Sequence, residues 1–182
     1  MTNGLNVLEE FPATLEQRIA ELTAANDCLL KEVCDQEDIK PDSGWSTSEN
    51  AYHLYITEKG IIGMLQKAIQ SSDRIETKND DALKKEWETI VSFTSNRQDR
   101  FNAPSFVVPT NSPKLSDTIN LLTESHTNLC NLLKSTSFEE LASIARPHPL
   151  ERIGLISGLG WLSLIARHKL RHVEQIKELK HK

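Results

Sequence analysis

The chain has 182 residues, of which 38% are hydrophobic and 26% charged, and its formal net charge is −5. This length fits one hydrophobic core, so we expect a single domain over residues 1–182. The acidic balance disfavours nucleic-acid partners, which are bound through clustered Lys and Arg, and the low aromatic content of 5% favours an all-α protein.

The cysteines and the apolar stretches indicate the cellular compartment of the protein. Cys28, Cys34 and Cys130 are odd in number and lack close pair spacing, and the N-terminal residues do not resemble a signal peptide. The most apolar stretch, around residues 155–165, is interrupted by Ser and Gly and is shorter than the roughly 20 residues that span a bilayer. We therefore expect a cytoplasmic protein without a membrane partner.

Leucines recur every seven residues in the first third of the chain, at Leu8, Leu15, Leu22 and Leu29. This spacing predicts one long amphipathic helix that ends near residues 34–38. A heptad stripe is also typical of the interface between two chains, so a homodimer is an alternative. Burial inside the chain's own bundle is the favoured use.

A second helix is predicted from a capping-box pattern, Ser46 followed by Glu49, which comes after the turn-forming residues 39–44. This helix should run to about Ser71 and carry His53. A shorter helical piece is expected over residues 83–91.

Prolines then break the helical pattern. Three of the seven lie between Ala103 and Pro113, which predicts a semi-rigid connection between the second and third long helices. The third long helix is predicted from Leu115 to about Ser135, and a short helical piece over residues 138–145.

The last helix is predicted from about Leu155 and contains His168 and His172. Four long helices with short additional ones indicate a four-helix bundle, a fold that builds metal sites from inward-facing side chains.

The three histidines of the second and last helices are the candidate metal ligands. His168 and His172 are four residues apart, so both imidazoles lie on one helix face and can bind one ion. His53 supplies a third imidazole if the two helices pack side by side. Three neutral ligands with an open position are typical of catalytic zinc, although solvent-facing histidines would give the same spacing.

Two polar residues are candidates for supporting the ligands. Glu49 lies one turn before His53 and could accept a hydrogen bond from its outer ring nitrogen, but it also suits a role as capping partner of Ser46. Gln175 lies three residues after His172 and could reach a metal-bound water or face solvent.

Other metal-capable residues have simpler explanations. His126 and Cys130 form a second pair four residues apart, for which a buried structural role is favoured. His148, between two prolines, is expected to be structural, with a position at the rim of the site as the alternative. His181 is in the tail, and we expect no role for it.

Four segments, taken together in this order, resemble the DinB-like superfamily. They are Trp45 to Leu54, Ala103-Pro104 to Pro109, His148-Pro149, and His168 to His172 with Gln175-Ile176. The resemblance covers nearly the whole chain. It implies a four-helix bundle that holds a divalent metal through His53, His168 and His172, and its relatives include bacillithiol transferases and mycothiol-dependent maleylpyruvate isomerases. Relatives have a glycine soon after the His-Pro step, whereas residues 150–152 intervene here.

The resemblance and the ligand set together favour a metal-dependent enzyme that activates a low-molecular-weight thiol for S-transfer, with zinc or nickel as the favoured ion. A metal-dependent hydrolase is the enzymatic alternative. A non-catalytic bundle that binds a metal or a ligand is the third hypothesis. In the enzymatic cases the partner is a small-molecule substrate or thiol.

Overall fold

The computed structural model describes residues 10–35, 37–96 and 102–180. Within these residues the chain forms six α-helices and one small antiparallel sheet, and the predicted four-helix bundle is confirmed. The helices are α1 (Leu15–Cys34), α2 (Thr47–Gln70), α3 (Asp80–Ser95), α4 (Leu115–Lys134), α5 (Phe138–Ala142) and α6 (Gly158–Leu179), and the strands are β1 (Ala145–Pro147) and β2 (Leu155–Ser157).

The four long helices α1, α2, α4 and α6 pack around a common apolar core. α1 lies along α6, α2 lies against α4, and α2 also touches α6, which brings the histidine-bearing helices together. Leu22 and Leu29 of the heptad stripe are fully buried inside this bundle, while Leu8 lies outside the described residues. The stripe of α1 is therefore used within the chain.

The start of α2 is the capping box expected from the sequence. The Ser46 hydroxyl accepts from the Glu49 N–H, and the Glu49 carboxylate accepts from the Ser46 N–H. Asp38 also accepts two hydrogen bonds from Ser48, at 2.8 and 2.7 Å. These bonds fix the direction in which α2 leaves the preceding loop, and with it the position of His53.

The predicted start of the last helix at Leu155 is wrong. Residues Leu155–Ser157 pair with Ala145–Pro147 as a two-stranded hairpin, and α6 begins only at Gly158. The predicted short helix likewise ends at Ala142, because the chain then enters β1. Ser157 caps α6 by accepting from the Gly160 N–H.

Gly158 is required where α6 meets α5. A Cβ atom there would lie 2.7 Å from the Leu141 carbonyl oxygen, closer than real Cβ contacts come. The helix can therefore begin this close to α5 only with glycine.

α3 is longer than the sequence indicated. It covers 16 residues and packs against α6, with Leu83, Trp87 and Ile90 buried. Among the described residues, no helix is long and apolar enough to span a bilayer.

Candidate metal centre

Three imidazoles meet where α2 packs against α6. His53 and His172 are buried, His168 is partly buried, and one ring nitrogen from each lies within 4.8 Å of the other two. The Nε2 atom of His168 is 3.3 Å from Nε2 of His53 and 3.1 Å from Nε2 of His172. The helices thus bring together the three histidines singled out in the sequence.

The outer nitrogen of His53 is held by the proline-containing connection. His53 Nδ1 lies 2.7 Å from the Val107 carbonyl oxygen. A carbonyl can only accept, so Nδ1 carries the ring proton and Nε2 keeps its lone pair. Val107 ends a short 3-10 turn over Ser105–Val107 that follows Pro104, so this irregular segment sets the tautomer of His53.

Asn50 fixes the tautomer of His172. Its side-chain NH2 group donates to the carbonyl oxygens of Trp45 at 3.2 Å and Ser46 at 2.9 Å. The amide oxygen must therefore face His172, and it lies 2.9 Å from Nδ1. Since this oxygen accepts, His172 carries its proton on Nδ1 and directs a lone pair from Nε2 toward the other two rings.

His168 is the least constrained of the three. Among the described residues no hydrogen bond forms at its Nδ1, whereas its Nε2 lies between the Nε2 atoms of His53 and His172. Without a metal, a proton on Nε2 of His168 can be shared with the two facing lone pairs. Binding an ion would require that proton to leave or to move to Nδ1.

The spacing of the nitrogens suits a small divalent ion. Zinc–nitrogen bonds of about 2.0–2.1 Å in a tetrahedral site place ligand nitrogens roughly 3.3 Å apart. The Nε2–Nε2 separations from His168 to His53 and to His172, 3.3 and 3.1 Å, are close to that value, and all three nitrogens lie within 4.8 Å of one another. Three neutral imidazole donors grouped in this way suit zinc, nickel and related ions.

An indole covers two of the three rings. Trp45 lies against His53 with 4.8 Å between ring centroids, and is nearly parallel to His172 at 6.4 Å. Because Trp45 directly precedes the Ser46 cap of α2, the same turn that begins the helix also forms a wall of the site.

The sequence profile of the DinB superfamily matches residues 8–176. The chain belongs to this superfamily. The structure is also similar to that of YfiT from Bacillus subtilis, described as a probable metal-dependent hydrolase with an unusual four-helix bundle topology. That likeness has a TM-score of 0.61 and 17% sequence identity, and covers 92% of this chain and 86% of YfiT. No curated protein matches the chain.

Burial keeps the histidines of this DinB-superfamily chain neutral. It lowers the pKa of His168 to about 3, and the nearby His53 and Arg171 add to the effect. The pKa of His172 is lowered well below its ordinary value by burial and then by His168. Burial also lowers the pKa of His53, although its bond to the Val107 carbonyl acts in the opposite direction. Neutral imidazoles are the form that binds metals.

Neither Glu49 nor Gln175 is a hydrogen-bond partner of the three histidines among the described residues. The Glu49 carboxylate is engaged by the Ser46 N–H and the Lys40 ammonium group, as the capping alternative predicted. Gln175 is half-buried and forms no hydrogen bond to the three histidines in the described part of the chain. The partners that do hold the rings, Asn50 and the Val107 carbonyl, were not found from the sequence.

The remaining metal-capable residues do not belong to this three-histidine group in the described part of the chain. His126 Nε2 lies 3.5 Å from Cys130 Sγ, and no third ligand completes a group with them among the described residues. His148 stacks on Trp161 with 5.7 Å between centroids, and its Nδ1 accepts from the Leu150 N–H at 3.0 Å. The prediction for His181 lies outside the described residues.

Proposed function

We propose that this protein is a divalent-metal-dependent enzyme that activates a low-molecular-weight thiol for S-transfer. One observation carries the proposal: three Nε2 atoms face a common point, and the outer bonds of His53 and His172 direct their lone pairs toward it. A divalent ion bound there would lower the pKa of a coordinated thiol or water.

The charge of the ligand set favours an anionic substrate group. All three candidate ligands are neutral, and in the described part of the chain the group includes no carboxylate. The positive charge of an ion would therefore not be balanced by the protein. A thiolate supplies the missing negative charge, and it is the nucleophilic form of a thiol.

Within the described residues no carboxylate belongs to the histidine group, and this favours thiol activation over hydrolysis. Glu49 is engaged by Ser46 and Lys40, and Glu58 is buried against Lys169 at 2.5 Å. A metal ion deprotonates a coordinated thiol outright, whereas it lowers the pKa of bound water only to about 7, so hydrolysis gains more from a separate general base. In the transfer, the sulfur forms the new bond to carbon and the leaving group departs with the bonding electrons.

A metal-dependent hydrolase is the second candidate, and the likeness to YfiT supports it. YfiT carries that description and shares the bundle over most of both chains. The same three imidazoles would then activate water in place of a thiol.

The metal is tested first. Protein purified without a histidine tag should hold about one equivalent of divalent metal by mass spectrometry after reconstitution with zinc or nickel. His53→Ala and His168→Ala should lose it while keeping their helical circular dichroism, and His126→Ala should retain it. Metal retained in both site variants, or absent from the reconstituted parent, would refute the proposal.

The reaction is tested next with metal-loaded and metal-free protein. Glutathione, cysteine, coenzyme A, bacillithiol and mycothiol are each combined with a generic electrophile, and at least one should react faster with the loaded protein only. No metal-dependent acceleration for any thiol would overturn S-transfer. Thiol-independent turnover of esters or amides by the loaded protein would establish the hydrolase in its place.

A further inference from the structure

The outer face of α2 forms an open groove that the histidine site does not use. It has a volume of about 830 Å³ and follows one side of the helix from Ile56 to Ser71, with Arg146 of β1 at its edge. Its two ends are 15 residues apart in sequence, which corresponds to roughly 22 Å along the helix axis. Its lining residues are Ile56, Lys59, Gly60, Gly63, Met64, Lys67, Ala68, Ser71 and Arg146.

Two glycines in this groove are not required by any close contact with the described residues. Gly60 and Gly63 lie in the middle of a 24-residue helix, where each is about 1 kcal/mol less favourable than alanine. A Cβ atom at either position would meet nothing within 4 Å, in contrast to Gly158, where one would meet a carbonyl at 2.7 Å. Glycine at such positions allows another backbone to approach closely.

The groove is positively charged although the chain as a whole is negative. Lys59, Lys67 and Arg146 line it, none of its described lining residues is a carboxylate, and the net charge of the chain is −5. Arg146 lies 3.6 Å from Asp73, whose side chain is 79% exposed, so this ion pair is weak and exchangeable. A ligand for this face should therefore carry negative charge.

We propose that this groove binds an acidic amphipathic helix from a partner protein. The small residues Gly60 and Gly63 accept the apolar face of that helix, and its carboxylates pair with Lys59, Lys67 and Arg146. The length of the groove suits about four turns of helix rather than a small anion. In a symmetric dimer formed through this groove, the three cations of one copy would face and repel the same three cations of the other.

The probe is a fluorescein-labelled helical peptide of about 18 residues, with alanines on one face and glutamates on its flanks. We expect the full-length protein to bind it, as measured by fluorescence anisotropy. The double variant Lys59→Glu/Lys67→Glu should weaken binding at least about tenfold. Gly63→Leu should weaken it similarly without a change of charge, and because its side chain meets open space the variant should fold normally.

The control double variant Lys84→Glu/Lys85→Glu makes the same charge change on the exposed face of α3, and should leave binding within about twofold. A peptide of the same composition with glutamates on every face should bind weakly. Equal binding of both peptides, no effect of Gly63→Leu, or no binding at all would overturn the proposal. So would binding of anionic phospholipid vesicles in place of the peptide, or a parent dimer that Gly63→Leu dissociates.

Discussion

Asn50 determines the chemical form of His172 because its amide is fixed on three sides. Two backbone carbonyls accept from its NH2 group, so only its oxygen remains to face the ring. The neighbouring Glu49 was a candidate for this role, with capping of α2 as the alternative, because carboxylates commonly orient metal-bound histidines. Asn50 lies one turn after Ser46 and one turn before His53, and this position could have identified it from the sequence as a residue of the histidine site.

Replacing Asn50 should weaken metal binding without unfolding the protein. Asn50→Ala removes the acceptor that holds His172 Nδ1, and loss of such partners lowers metal affinity about 10- to 100-fold. Zinc affinity measured by competition with a chromophoric chelator checks this.

Glu49→Ala is the matched control, because it disrupts the cap of the same helix but not a ring contact. It should lower stability by about 0.5–2 kcal/mol and leave zinc affinity nearly unchanged. A larger loss of affinity in Glu49→Ala than in Asn50→Ala would contradict the role assigned to Asn50.

The lowered pKa values of the histidines predict that the metal-free protein loses stability in mild acid. Unfolded histidines bind protons below about pH 6.5, whereas folded His168 does so only near its pKa of about 3. Between these values the unfolded state binds more protons, so stability is full above pH 6.5 and falls as the pH drops.

Melting temperatures from pH 7.5 to 4.5 in the presence of a chelator test this pH dependence. The melting temperature of His168→Gln should fall less steeply with decreasing pH than that of the parent, because the variant has one fewer histidine whose pKa is lowered by folding. Glu21, whose pKa is raised by burial, contributes with the opposite sign but is common to both proteins. Identical pH profiles would show that His168 titrates normally in the folded chain.

At the scale of the helices, a buried ion pair links α2 to α6 close to the histidines. Glu58 and Lys169 are each 1% exposed, and Lys169 also donates to Asn26 of α1 at 2.8 Å. Lys169→Met leaves the Glu58 charge buried alone and should cost about 3–5 kcal/mol in urea unfolding. The double variant Glu58→Leu/Lys169→Met should recover most of this loss. If the single and double variants are equally unstable, the ion pair is not what matters at this position.

The elements that sequence analysis found are those with long, regular patterns. The predicted ends of α1, α2 and α4, and the predicted starts of α2 and α4, lie within a few residues of those observed. α1 begins only at Leu15, because Thr14 caps it, whereas the predicted helix included Leu8. The β1–β2 hairpin was missed because its three-residue strands are too short for a periodicity to appear. The contact between Val107 and His53 was also missed, since the path of a proline-rich segment is not encoded in residue types.

At the scale of the whole molecule, an ion held by His53, His168 and His172 would join α2 to α6. Binding to the folded state alone stabilises a protein by about 2.7 kcal/mol when free ligand is 100 times its dissociation constant. Chelation should therefore lower the melting temperature of the parent and leave that of His53→Ala unchanged, as measured by calorimetry. An equal effect of the chelator on both proteins would place the stabilising ion elsewhere.

The separation of the ligands along the chain has a consequence for biosynthesis. His53 precedes His168 by 115 residues, so α2 is synthesised well before α6. A nascent chain that has not yet emerged as far as α6 holds one of the three imidazoles and cannot discriminate between ions. An ion at this site would therefore be selected only after α6 has been synthesised and has docked against α2, from the metals available at that moment.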